Sequence, residues 1–326
     1  MQYIALSKLM HKANSFYYKN KKTNIYEDFS TYTQSNKNLL GKATALNFLK
    51  YFSTIDKENY NILELGPGNG LFAYSFLNTI YKKDLRMLKK INYFLADFSK
   101  PILLKAFRAL KKFNKYSKVE KIFFDANKTN LKSSLRKFEQ KFDYIRANEL
   151  LSDLDADIYL RLSNKIFLVL FDKNLNFLID KNEIKLDQLE ENVLHYFPSG
   201  YFIPINFRAK SLISFLLEQL NKNSYMEFFD YGFYKKDDIN LTKQEWNSLI
   251  VRKYATQITT DLNFYYLKKN FSFSEVISQK VYVENSLNKK LKISSTQLDY
   301  SSKNLLDLKY NIEEEDYFYL FRIFKN

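Results

Sequence analysis

A chain of 326 residues, 46% of them hydrophobic, can fill a sizeable core and is incompatible with disorder. Its 51 Lys and Arg against 36 Asp and Glu give +15, but most of the excess is lysine in a chain rich in Asn, Tyr, Phe and Ile, so charge alone names no anionic partner. Zero cysteines exclude disulfides, thiolate nucleophiles and cysteine zinc sites, and with only His11 and His195 no metal centre is expected.

Apolar runs are too short for a bilayer-spanning helix, and the start MQYIALSKLMHKANS has neither an h-region nor a small-residue cleavage site. The expectation is a cytoplasmic protein with no membrane partner. Residues 1–18 and 38–53 carry apolar positions at helical spacing, with the polar EDFSTYTQSNK between them as a loop, so 1–55 reads as a helical N-terminal cap and 56–326 as the main domain.

The main domain opens on NILELGPGNGLF. Residues 61–65 form a short apolar run, Gly66, Gly68 and Gly70 follow at alternate positions, and 71–80 has a helical pattern, which together predict strand, tight turn and helix. A second strand, 93–96, ends at Asp97; Ser99 then reads as a cap and Pro101 sits in the first turn of a helix over 102–113. The basic run 105–121 reads as the solvent face of that helix and the loop after it. A third strand, 119–124, ends at Asp125 before a helix over 131–138, and a fourth, 142–145, runs toward Asn148 and Glu149 and another helical stretch. Strands alternating with helices predict a parallel sheet whose ligand lies beyond the strands' carboxyl ends.

Those ends deliver the glycine loop, Asp97, Asp125 and Asn148 with Glu149. A nucleoside suits this set. The glycines admit a close ligand, Asp97 can accept from two ribose hydroxyls and Asp125 can meet an adenine amino group. Glu64, just before the loop, adds negative charge that a cationic cofactor tolerates and a pyrophosphate does not. A plainer reading stays open, with the glycines as an ordinary turn and the carboxylates as helix caps. No GxxxxGK[ST] sequence is present, so a P-loop nucleotidase is unsupported.

The later chain reads as an elaboration. Residues 166–171 and 175–180 pattern as a hairpin within an insertion over about 160–207; a helix over 210–220 feeds a fifth strand, 225–229, ending at Asp230; and 317–324 patterns as an antiparallel edge strand.

The segment ELGPGNG, 64–70, resembles the first motif of class I S-adenosylmethionine-dependent methyltransferases, and the chain from about 15 to 270 resembles the MidA-like family, which includes a mitochondrial complex I assembly factor that methylates protein arginine. The matches run in the family's order through Tyr17-Tyr18, Glu27-Asp28-Phe29-Ser30-Thr31, Leu40-Gly41, Ala96-Asp97-Phe98-Ser99, the 147–155 segment ANELLSDLD, Pro198-Ser199-Gly200 and Phe229-Asp230-Tyr231-Gly232. Family membership implies a Rossmann-like α/β fold with a mostly parallel seven-stranded sheet, and S-adenosyl-L-methionine as cofactor. Its implied contacts are Glu64, Gly66, Gly68, Gly70, Asp97, Phe98 and Asp125, with Glu149 and Asn148 as the catalytic or acceptor-orienting pair. The family's aspartate after Asn-Glu is Ser152 here and its proline is Asp155, which marks an altered acceptor end. The expected activity is methyl transfer to a protein, an arginine side chain included. Methylation of RNA or a small molecule, and a non-catalytic assembly role, remain as alternatives; protein substrate, RNA and a second copy of the chain are the partners considered.

Overall fold

The computed structural model describes residues 2–20, 39–128, 131, 140–290 and 317–325. The 27–31 motif lies outside the described residues, as does all but Leu131 of the helix expected over 131–138. A short strand β1 (Ile4–Ala5) leads into α1 (Leu6–Asn20), and α2 (Leu39–Phe52) precedes the sheet. Then come β2 (Tyr60–Leu65), α3 (Leu71–Lys83), α4 (Leu85–Lys89), β3 (Ile91–Asp97), α5 (Lys100–Ala109), β4 (Lys118–Phe123) and β5 (Phe142–Asn148). Nearly every side chain of β2, β3 and β5 is buried, the mark of parallel strands covered on both faces.

An insertion follows as β6 (Asp157–Leu162), β7 (Lys165–Phe171), β8 (Phe177–Glu183), α6 (Gln188–Tyr196) and β9 (Phe202–Ile205). The expected hairpin is β7 with β8, its loop tied by Asp172, whose Oδ1 accepts from the Asn174 and Asn176 amides at 2.8 and 2.9 Å. Pattern reading did not foresee that β6 and β9 extend it, or that β1 pairs with Leu170 and Phe171 of β7 to make a five-stranded sheet. The chain returns through α7 (Phe207–Gln219) to the long β10 (Leu220–Phe233), and finishes with α8 (Lys243–Leu249), β11 (Val251–Tyr254), β12 (Gln257–Thr260), β13 (Leu262–Asn263), α9 (Phe264–Asn270), β14 (Ser274–Ser278), α10 (Gln279–Leu287) and β15 (Phe318–Lys325).

The main sheet has eight strands in the order β14-β15-β10-β5-β2-β3-β4, with β13 beside the end of β10. Three sequence expectations are corrected here. The sheet is eight-stranded and not seven-stranded among the described residues, because the short β13 and the half-exposed β14, SEVIS, join it. Such brief or polar edge segments carry almost no apolar pattern. The final strand β15 is antiparallel as expected, but it lies between β10 and β14 and is not an edge. After Glu149 the chain makes only a 3-10 turn, Leu151–Asp153, where a helix was expected; Ser152, Asp153 and Asp155 favour turns over helix interiors.

The sheet separates two cores. On one face Ile62, Tyr144 and Tyr225 pack under Phe48 and Phe52 of α2, Phe76 of α3 and Tyr282 of α10; on the other Leu63, Ile145 and Met226 meet Leu212 and Leu216 of α7 with Ile158 and Val169 of the insertion. One row of the first face is charged. Glu64 of β2 stands opposite Arg146 of β5, Arg146 opposite Glu227 of β10, Glu227 opposite Arg322 of β15 and Arg322 opposite Glu275 of β14.

At the end of β10, Gly232 takes φ 155, and a Cβ there would lie 2.1 Å from the Leu262 carbonyl oxygen of β13. Gly232→Ala is expected to lower stability by about 3 kcal/mol through this overlap. Urea unfolding checks it, and an unchanged midpoint would show that β13 does not press on β10.

Candidate functional site

The loop between β2 and α3 turns on glycines in the left-handed region, Gly66 at φ 61, Gly68 at φ 53 and Gly70 at φ 80. Their surroundings differ. A Cβ on Gly66 would lie 3.3 Å from Leu150 Cδ1, so the loop runs beside the segment leaving β5; a Cβ on Gly70 would lie 3.0 Å from the Ala106 backbone, so this glycine lets α3 begin against α5. The Gly66 amide donates to the Ala96 carbonyl at 2.9 Å, which ties the loop to the end of β3.

Asp97 ends β3, and its Oδ1 accepts from the Ser99 amide at 2.7 Å. Ser99 holds the N-cap position of α5 but its side chain makes no capping bond, so the expected Ser99 cap is not formed and Asp97 instead closes a turn onto the Ser99 amide. Burial pushes the Asp97 carboxyl up to about 7, the charge of Asp125 adding to the shift. Asp125 sits one strand over, its Oδ1 accepting from the Asn127 amide at 3.0 Å, and the Phe124 amide donates to the Asp97 carbonyl at 3.0 Å. Phe98 meets the ring of Tyr18 from α1 edge to face, centroids 5.6 Å apart. The structure therefore gathers the glycine loop, Asp97, Phe98 and Asp125 along neighbouring strand ends. Glu64 is not brought to those ends. Its side chain, 2% exposed, turns into the layer beneath α3, where Oε2 accepts from the Tyr93 hydroxyl at 2.6 Å and Oε1 lies 3.7 Å from Arg146 Nη2.

At the end of β5, the Glu149 amide donates to the Phe229 carbonyl at 2.8 Å and Glu149 adopts φ 49, a left-handed backbone that is rare outside glycine and concentrated at functional sites. The Asn148 side-chain amide donates to Glu149 Oε1 at 3.0 Å, while Asn148 Oδ1 is buried with no hydrogen-bond partner among the described residues. Asp230, from the end of β10, fixes the next turn. Its Oδ2 accepts from the Leu151 and Ser152 amides at 2.9 and 3.1 Å, and burial pushes it up to about 7. Ser152 is 1% exposed against Asp230, with its carbonyl accepting from the Thr259 hydroxyl at 3.0 Å. Ser152 is thus internal, and an aspartate there would face the buried Asp230 carboxyl.

Helix α1 lies over these elements. Ser7 donates its amide to Asp157 at 2.9 Å, His11 Nδ1 pairs with Asp155 at 3.0 Å, Asn14 donates to the Asp153 carbonyl at 2.8 Å and the Tyr18 hydroxyl donates to the Asp153 carboxyl. Gln257 of β12 donates to the same Tyr18 oxygen at 2.9 Å, and burial pushes Asp153 up to about 6. The sequence assigns no separate role to Tyr18, Asp230 or Arg146. The first two carry a signal as parts of the Tyr17-Tyr18 and Phe229–Gly232 motifs, and the third only as an arginine inside an apolar strand. Among the described residues no group of three or more His, Cys, Asp or Glu is placed to hold a metal, and no helix is long and apolar enough to cross a membrane.

Comparison with known proteins places this site in a family. Residues 43–268 match the model of the family described as "Putative S-adenosyl-L-methionine-dependent methyltransferase". Two solved structures from Burkholderia thailandensis share the fold. One is an uncharacterized superfamily protein, TM-score 0.64 and 12% identical, covering 99% of this chain and 87% of its own; the other is a member of the same superfamily bound to S-adenosyl-homocysteine, TM-score 0.62 and 12% identical, covering 99% and 88%. No curated protein matches the sequence. The family model spans more than half of the chain and agrees with the MidA-like resemblance, so this protein belongs to that family of methyltransferases, enzymes whose methyl donor is S-adenosyl-L-methionine.

Proposed function

We propose that the chain methylates a nitrogen on a protein side chain, with an arginine guanidinium as the acceptor its site chemistry suits best. The observation that carries this reading is the pair at the end of β5, where the buried, unpartnered Asn148 Oδ1 lies next to the Glu149 carboxylate. Two adjacent acceptors, one of them charged, complement a cationic group with several N–H donors. Residues 1–55 and the insertion over 160–207 serve as the covering and selecting parts around a methyltransferase domain of 56–326; the pairing of β1 with β7 supports their acting together.

The residues present fit the donor, since left-handed glycines open the backbone at Gly66 and Gly68 and Asp97 and Asp125 offer acceptors on neighbouring strands. When bound, S-adenosyl-L-methionine supplies a methyl group already activated on a sulfonium. The chain's own tasks are then alignment and proton handling. Asn148 Oδ1 and Glu149 each accept one acceptor N–H, which fixes the nitrogen and concentrates its electron density toward the methyl. The proton that the acceptor nitrogen loses on being methylated would pass to the Glu149 carboxylate and on to water. Phe98 and Tyr18 cover the donor side.

Two outcomes are expected. With Asp97 titrating at about 7, its ionised form accepts from ribose hydroxyls and its protonated form does so poorly. S-adenosylhomocysteine affinity should therefore rise about tenfold from pH 6 to pH 8 in the wild type and stay flat in a weaker Asp97→Asn variant. Calorimetry at both pH values checks this, and a wild-type affinity independent of pH would remove Asp97 from the donor site. For the acceptor end, Glu149→Gln should leave that affinity unchanged and slow methyl transfer about 100-fold, about 2.7 kcal/mol of transition-state stabilisation. The assay is single-turnover transfer of labelled methyl into a lysate fraction, with protease and ribonuclease controls. Ribonuclease-sensitive label would replace the protein acceptor by RNA, donor binding without turnover would leave a non-catalytic protein, and wild-type rates from Glu149→Gln would exclude it from the chemistry.

A further inference from the structure

We propose that Arg146 is a positioning residue, acting through Glu64, that holds the glycine loop at the correct height against Asn148 and Glu149. The inference rests on the donor site described above, but its carrying observation lies elsewhere, in the charged row through the middle of the sheet.

Arg146 is fully buried, and among the described residues none of its three guanidinium nitrogens has a hydrogen-bond partner. The ring of Phe72, in the first turn of α3 after the glycine loop, covers the guanidinium from one side. What remains to compensate the charge is Glu64, 3.7 Å away, and Glu227 at the paired position on β10. Both carboxylates have other partners: Tyr93 for Glu64, and Tyr144 at 2.6 Å with Arg322 Nε at 2.8 Å for Glu227. Arg146 therefore contributes charge without the directed bonds that usually accompany a buried guanidinium. Apolar residues often replace buried ion pairs without loss of stability, so stability alone does not account for a charge in this position.

Position along the chain supplies the account. Gly66 follows Glu64 by two residues, Asn148 follows Arg146 by two and Asp230 follows Glu227 by three. The same three strands thus carry the charged row and, immediately above it, the donor loop, the acceptor pair and the carboxylate that fixes the following turn. Side chains alternate along a strand, so slipping β5 by one residue would carry Arg146 into the apolar core with Ile145 and Ala147 and strand Glu64 and Glu227 beside each other's side of the gap. The pairing therefore locks the relative height of β2 and β5, and through them the distance between donor and acceptor groups.

Because Arg146 works by charge, its variants have a definite order. Arg146→Lys should keep S-adenosylhomocysteine affinity within about threefold of wild type, and Arg146→Met should lower it at least tenfold with faster amide hydrogen exchange over residues 64–72. Adding Glu64→Gln to Arg146→Met removes the uncompensated charge and should restore the unfolding midpoint, while affinity and exchange stay impaired because the pairing that sets the height of the loop is gone. Calorimetry and exchange mass spectrometry on the full chain read these, with the global unfolding midpoint as the control for general destabilisation. Wild-type affinity and exchange in folded Arg146→Met would overturn the proposal, as would a double variant that recovers wild-type affinity and exchange. If Arg146→Met alone does not fold, the double variant and Arg146→Lys decide the matter by the same criteria. A wild type that binds no S-adenosylhomocysteine would count against the donor site, while exchange over 64–72 would still decide the role of Arg146.

Discussion

Sheet register is the constraint on which the site depends, and buried charge sets it. Across β2, β5, β10, β15 and β14 the side chains alternate as Glu64, Arg146, Glu227, Arg322 and Glu275, fully buried at Arg146 and reaching solvent at Glu275. One row below, Tyr93, Tyr144 and Tyr225 occupy the same face, and the first two direct their hydroxyls up to Glu64 and Glu227. Among β2, β5, β10 and β15, no strand can move singly without leaving a charge in a dry core, which costs several times what an exposed mismatch would. Arg322 brings β15 into this scheme, with Nη2 2.5 Å from Glu227 and Nη1 2.7 Å from Glu275, so the last strand of the chain is bonded on both sides.

Above that fixed frame, the acidic segment after β5 divides its work. Asp153, Asp155 and Asp157 each receive a bond from α1, through Tyr18, His11 and the Ser7 amide. These carboxylates attach the N-terminal helix to the strand ends, and the carboxylate next to Asn148 is Glu149. The high acidity of residues 149–157 in a chain of charge +15 is therefore mostly structural, which weakens any argument from local charge to a cationic acceptor and leaves that argument resting on Asn148 and Glu149.

How much of this was legible in the sequence follows from which features act locally. The β2 loop was legible because alternate glycines have few uses besides a shaped turn, and the ends of β3, β4 and β5 were legible because Asp97, Asp125 and Asn148 close or shortly follow stretches that are apolar or alternate apolar with polar residues. Edge strands were not: β14 is polar and half exposed, and β13 is two residues long. Side-chain direction was the other loss. Glu64 adjoins the glycines in sequence, but strand alternation turns it away into the layer under α3, where its partner Arg146 is 82 residues later. The burial of Ser152 was equally hidden, because its contact with Asp230 comes from a strand nearly 80 residues away.

The same long-range bonds account for the strained residue at the end of β5. A left-handed Glu149 is unfavourable by itself, by an amount on the order of 1 kcal/mol, and persists only where its neighbours over-determine it. Here they do so from both sides. Phe229 of β10 takes the Glu149 amide, and Asp230, the next residue of the same strand, takes the amides of Leu151 and Ser152. Two consecutive residues of β10 thus hold the backbone on either side of Leu150, whose side chain reaches the Gly66 loop. Since β10 is itself registered to β5 through Glu227 and Arg146, the reversal at Glu149 is fixed before any ligand arrives, and its cost is met by sheet interactions rather than by binding energy. Such preorganisation is what an enzyme needs when its contribution is alignment: the Asn148–Glu149 pair proposed to receive the methyl acceptor is held by the sheet itself.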